Sequence, residues 1–254
     1  MSILNREGVK LFYEVNGAAG NRTPVLLTHG YSATSEMWQP NLEGLRARRR
    51  VITWDIRGHG RSDSPENQAL YSEELSVADM AAILDATGTE RAVVSGLSLG
   101  GYLSLAFHLR HPERVAALML FDTGPGFKRD EPREAWNRTA EATAVAYNTR
   151  GLDALPNRPE VGRSTHRSAA GLAKAARGIL VQHDARVIES LSSIAVPTLV
   201  VVGALDTPFL AATDYMAAKV PGATKAVIQD AGHASNIDQT EVFNRIVLDF
   251  LERL

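Results

Sequence analysis

The 254-residue sequence predicts an α/β fold, a doubly wound and mostly parallel sheet interrupted by a small helical insertion. Three observations predict it. Short runs of Val, Ile and Leu recur along the chain and several are apolar throughout, the pattern of strands covered on both faces. Segments with apolar residues at helical spacing alternate with these runs, as βαβ units require. The alternation breaks between about Gly124 and Ser193 and then resumes.

Taken in order, Val9 to Val15 alternates and reads as an early strand, antiparallel and near the sheet edge. Val25 to Thr28 is a short apolar run after Pro24. Val51 to Asp55, Arg91 to Gly96, Val115 to Asp122, Pro197 to Gly203 and Ala226 to Gln229 are further strands. Val77 to Ala86 and Leu99 to Arg110 have helical spacing, and Pro112 stops the second. The last helix, Glu241 to Leu254, carries Val242, Phe243, Ile246, Val247, Phe250 and Leu251 on one stripe. The basic run Arg46, Arg48, Arg49 and Arg50 reads as the solvated end of a helix, where cations suit the dipole. Within the interruption, Pro, Gly and charged residues precede Ala-rich helical segments such as Ala169 to Ala176. Roughly seventy structureless residues would be unusual in a compact domain, so a helical subdomain is expected. The expected organisation is a core over 1–124, a helical cap over 125–194 and the rest of the core over 195–254.

Composition narrows the function classes. The chain is 44% hydrophobic and 22% charged, ordinary for a globular protein, and its net charge of −2 leaves no electrostatic footprint for nucleic acid or anionic lipid. The absence of cysteine excludes disulfides, thiolate metal sites and a Cys nucleophile. The first residues lack a basic segment followed by an apolar one, and no run approaches the ~20 apolar residues that span a bilayer. A soluble, cytoplasmic protein without membrane association is the expectation.

The chemistry centres on Gly96-Leu97-Ser98-Leu99-Gly100, followed by Gly101. The bare pattern is weak, but here an apolar strand precedes it and a helix follows. A serine at such a strand-to-helix turn sits in strained backbone with its oxygen projecting from the sheet edge. The small flanking residues let strand and helix approach closely. A serine hydroxyl needs a base. Of seven histidines, His233 lies after a strand and just before the last helix, at the edge where α/β sites form. His108 and His111 fall on or at the end of the helix after Ser98 and face away, and His166 and His183 lie in the insertion and at most line a pocket. The third member is a carboxylate that holds the imidazole tautomer. Asp206 follows the strand ending at Gly203, and the order Ser, Asp, His suits the fold; Asp122, at the end of another apolar strand, competes. Either could instead cap a helix. An oxyanion hole would take the N–H of Leu99 and of Tyr31, in the loop His29-Gly30-Tyr31-Ser32, with His29 as a structural histidine.

These motifs, with the turn Asp55-Ile-Arg-Gly-His-Gly-Arg-Ser, resemble the α/β-hydrolase superfamily in order and spacing. The chain looks especially similar to small carboxylesterases and 3-oxoadipate enol-lactonase-like serine hydrolases, over nearly its whole length outside the insertion. The resemblance implies the α/β-hydrolase fold, a cap formed by the insertion, and a scaffold role for Arg57-Gly58-His59-Gly60. Serine at position 98 argues against haloalkane dehalogenases and epoxide hydrolases, which use Asp there. The implied function is cleavage of a small-molecule carboxylic ester or lactone through Ser98, His233 and Asp206, without metal or organic cofactor. Alternatives on the same triad are C–C bond hydrolysis of a β-diketone type, amide or lactam hydrolysis, and perhydrolysis. A non-catalytic small-molecule receptor is an alternative of another class. Phe127, Trp136 and Tyr147 are the cap's large side chains and the candidate pocket, each equally able to pack cap onto core.

Overall fold

Strand β3 (Val25–Thr28) sends Val25 and Leu27 to one face of a sheet and Leu26 to the other, and all three are fully buried. The same division runs along β6 (Val115–Phe121), where Leu118 and Leu120 join one core and Ala117, Met119 and Phe121 the other. An apolar run throughout is therefore what a strand between two helix layers needs.

The computed structural model describes residues 1–18 and 20–254. Its eight strands add β1 (Ser2–Arg6), β2 (Val9–Asn16), β4 (Val51–Trp54), β5 (Ala92–Leu97), β7 (Thr198–Gly203) and β8 (Thr224–Ile228), in the order β1-β2-β4-β3-β5-β6-β7-β8. β1 and β2 pair antiparallel, β2 joins β4 antiparallel, and the other neighbours are parallel. Helices α2 (Glu73–Ala86) and α3 (Leu99–Arg110) cover one face, contributing Val77, Met80, Leu103 and Phe107. Helices α1 (Gln39–Arg46) and α10 (Thr240–Leu251) cover the other, through Leu42, Leu45, Phe243 and Val247.

The doubly wound, mostly parallel sheet expected from the sequence is present, with boundaries displaced by a few residues. β1 went unrecognised: it is a two-sided, largely exposed edge strand with no apolar periodicity to mark it. The solvated reading of the basic run suits Arg46 and Arg48, which are exposed, but not its other two members. Arg49 is buried and donates to the carbonyls of Leu251 and Thr23; Arg50 donates to the Thr87 carbonyl and to Thr89 Oγ1. Both tie helix and strand ends together with carbonyls that a helix leaves free.

Between β6 and β7 lie α4 (Asp130–Arg150), α5 (Pro159–Gly162), α6 (Ala169–Ala175) and α7 (Arg186–Glu189). The long α4 buries only Ala140, Ala144 and Tyr147, three residues at helical spacing of which two are alanines. Its inward stripe is therefore faint in the sequence. Ala144 and Tyr147 pack on Leu172, Ala173 and Ala176 in a small core of the insertion. Helices α8 (Thr207–Lys219) and α9 (Ser235–Asp238) complete the chain.

Candidate active site

Strand order reverses around β3 and β5, so the loops leaving their C-terminal ends diverge and open a crevice there. Ser98 occupies the turn from β5 to α3, at φ 55° and ψ −118°. That left-handed φ costs a non-glycine residue of order 1–3 kcal/mol. Hydrogen bonds hold it: the Ser98 N–H donates to the Phe121 carbonyl, and Thr123 Oγ1 donates to the Ser98 carbonyl at 2.6 Å. Glycine is required at position 100, where a Cβ would collide with the Thr28 and His29 carbonyls. A Cβ on Gly30 would sit 3.4 Å from Ser98 Cβ, which brings the loop after β3 against the serine. Among the described residues neither the Tyr31 N–H nor the Leu99 N–H has an acceptor.

Three buried histidines stand behind that loop. The His29 ring bonds the Gly30 carbonyl through Nδ1 and accepts the Ile56 N–H at Nε2. The His59 ring accepts the Ser32 N–H at Nε2 and bonds the Arg57 carbonyl through Nδ1. From the insertion, His166 bonds the Ser32 carbonyl through Nε2 at 2.9 Å and accepts the Gly60 N–H at Nδ1. Burial pushes His29 down to about 4 and lowers His59 and His166, so all three are neutral at pH 7. Ser32 itself is at φ 62°. The turn residue Arg57 is buried in a two-pronged pair with Asp79, at 2.5 and 2.8 Å.

His233 follows β8 and precedes α9. Its Nδ1 lies 2.8 Å from Asp206 Oδ2, and its ring stacks on Phe209 with centroids 5.0 Å apart. Burial works against a charged ring, but the Asp206 hydrogen bond and charge outweigh it and raise the His233 pKa, helped by Asp122 and Glu160. The Asp206 bond is the only hydrogen bond of this ring among the described residues, so its Nε2 is free and the link to Ser98 is open in this conformation. Asp122, the competing acid, is fully buried and turned elsewhere. It accepts the Gly203 N–H at 2.8 Å and the Ser235 hydroxyl at 2.5 Å, tying the ends of β6 and β7 to the residues after His233. Burial raises its pKa to about 7 against the pull of those two bonds. Glu160, on the insertion, went unnoticed in the sequence. It is buried, its Oε2 has no hydrogen-bond partner among the described residues, and no motif marks it.

A cavity of about 320 Å³ opens over Ser98. Leu99, Phe127, Trp136 and Phe209 are among its walls, and so is Gln182, which no motif in the sequence marks. Tyr147 does not line it. That side chain is buried on α4, with its hydroxyl 2.7 Å from Ser32 Oγ, so it braces the loop after β3 instead. His183 is exposed, and His111 packs on Phe107 at the far end of α3.

A family model described as alpha/beta hydrolase fold matches residues 23–151, which run from β3 through the Ser98 turn into the insertion. The chain belongs to this family. Within the alpha/beta hydrolases it is 31% identical to 3-oxoadipate enol-lactonase 1 of Acinetobacter baylyi, over 99% of this chain and 97% of that protein. Among solved alpha/beta hydrolase structures, the enol-lactonase from Burkholderia xenovorans superposes with a TM-score of 0.79 at 28% identity, covering 99% of this chain and 100% of the other. A thermophilic esterase from Thermogutta terrifontis gives 0.80 at 29% identity, covering 96% and 94%.

Proposed function

We propose that this alpha/beta hydrolase cleaves a carboxylic ester or lactone of a small molecule through an acyl-enzyme on Ser98. The observation that carries the reading is Ser98 at φ 55°, on the wall of an apolar cavity, with the N–H groups of Leu99 and of Tyr31 in the adjoining loop lacking acceptors among the described residues. In this reading Asp206 keeps the proton of His233 on Nδ1, which leaves Nε2 to accept the Ser98 proton as Oγ attacks the carbonyl carbon. The carbonyl π pair moves to oxygen, and the N–H groups of Tyr31 and Leu99 stabilise the oxyanion. When the tetrahedral intermediate collapses, His233 protonates the departing alkoxide. Water then adds to the acyl-enzyme with His233 taking its proton, and Ser98 leaves with that proton restored. Residues 125–194 act as a cap that shapes the cavity and limits water access. The relatedness to an enol-lactonase and an esterase supports an acyl-oxygen bond as the target.

The test is pre-steady-state release of p-nitrophenol from p-nitrophenyl acetate. Wild type is expected to give a burst of about one equivalent per active site, and Ser98→Ala to lose about 10⁶ in kcat, as removal of the nucleophile of a coupled triad does. Fluorophosphonate labelling that persists in Ser98→Ala would remove Ser98 from the role.

A further inference from the structure

The cavity over Ser98 is apolar, and apart from Ser98 itself three of the four polar side chains on its wall are already engaged. Tyr102 donates its hydroxyl to Glu73 Oε2 at 2.7 Å, Trp136 Nε1 donates to the Leu180 carbonyl at 2.8 Å, and Thr123 Oγ1 donates to the Ser98 carbonyl. Gln182 differs. It is 8% exposed and its side-chain amide has no hydrogen-bond partner among the described residues; Oε1 is closed off even to a water molecule, so a cavity occupant meets the amide at its nitrogen end. An amide left unpaired in a mostly buried place is unfavourable, and such a group calls for a partner, whether ordered water, an ion or a substrate.

The backbone around that amide is built to hold it. Asn137 on α4 accepts the Gln182 N–H at Oδ1 and donates to the Gln182 carbonyl from Nδ2, both at 2.8 Å. Gly126, at φ 92°, clears the space beside Oε1, where a Cβ would lie 2.7 Å away. None of the residues lining the cavity carries a formal charge. A carboxylate entering it would lose water and gain no cation.

The geometry points to Gln182 as the specificity-determining residue of the cavity, selecting an uncharged substrate whose buried arm carries a hydroxyl or carboxamide group. Either group both donates and accepts, so either satisfies the amide in both of its orientations. Asn137 fixes the Gln182 backbone from which that side chain extends. The assignment rests on the proposed ester chemistry at Ser98 and deepens it by naming the substrate class.

The test compares hydroxyl with methyl at the end of each substrate arm. For the acyl arm the pair is p-nitrophenyl 6-hydroxyhexanoate and p-nitrophenyl heptanoate; for the alcohol arm it is 5-hydroxypentyl acetate and hexyl acetate. A purely apolar cavity favours the methyl partner. With Gln182 acting as proposed, wild type favours the hydroxylated partner of at least one pair by about three- to tenfold in kcat/KM. Gln182→Met abolishes or reverses that ratio, and p-nitrophenyl hydrogen adipate, which ends in a carboxylate, is slower in wild type than the 6-hydroxyhexanoate. Because the readout is a ratio within one variant, loss of folded protein cancels. Equal rates within both pairs, a hydroxyl preference that survives in Gln182→Met, or the adipate as the fastest acyl substrate overturns the assignment while leaving the hydrolase reading intact. No turnover of any ester by wild type overturns both.

Discussion

At the scale of single residues, two carboxylates end neighbouring strands and only their surroundings separate them. Asp206 meets the His233 ring, whereas Asp122 is spent on Gly203 and Ser235. Asp206→Asn is expected to keep the fold but favour the wrong imidazole tautomer, lowering kcat by about 10⁴. Asp122→Asn can still accept from Gly203 and meet Ser235, and its kcat is expected to stay within about tenfold of wild type. Side-by-side steady-state kinetics, with circular dichroism to confirm folding, decide the pair; a folded Asp206→Asn with near-normal kcat would exchange the two roles. The same carboxylate raises the His233 pKa above its ordinary value near ~6.5. The base acts only when neutral, so activity should rise with pH along a limb centred above ~6.5. A kcat/KM profile flat from pH 5 to 8, with chemistry rate-limiting, would contradict this.

At the scale of elements, the insertion touches the site at two places with different consequences. Tyr147 and His166 bond Ser32, next to the proposed oxyanion donor Tyr31, so α4 and the segment before α6 brace that loop. Trp136, also on α4, stands on the cavity wall near Phe127, their ring centroids 6.2 Å apart. Trp136→Ala enlarges the cavity without touching the Ser32 bonds. Its expected effect is a shift of the preferred acyl chain to greater length across a series of p-nitrophenyl esters, with the acetate still hydrolysed. A uniform fall in kcat at every chain length, in a folded variant, would assign this part of α4 to catalysis rather than selection.

At the scale of the whole molecule, buried titratable groups set the pH dependence of stability, and they oppose one another. His29, held down to about 4 by burial, binds fewer protons folded than unfolded. The stability it provides is complete above ~6.5 and is lost as pH falls towards 4; His59 and His166 act in the same direction. Asp122, raised to about 7 by burial, takes up a proton in the folded state first, so it adds stability as pH falls through 7. Asp122→Asn removes that contribution, together with the smaller pull of the Asp122 charge on His233. Between pH 8 and pH 5 it should therefore lose about 2–3 kcal/mol more stability than wild type. Urea denaturation of both proteins at the two pH values measures the difference, and parallel losses would mean that Asp122 is ionised throughout.

The sequence by itself determined the α/β class, because continuous apolar strands and helical spacing are local patterns that any two-layered burial of a sheet imposes. It also marked Ser98 and His233, whose turn and loop follow directly from the strands before them. Tertiary structure alone decided what depends on partners distant in the chain. It turned Asp206 rather than Asp122 to the imidazole, drew Arg49 and Arg50 from solvent onto carbonyls, and took Tyr147 from the cavity to Ser32. It also left the Gln182 amide without a hydrogen-bond partner among the described residues, on the wall of the cavity that Ser98 lines. Strand periodicity says which face a residue takes; which of several polar groups meet there is set only when the loops close, by distances that no local spacing encodes.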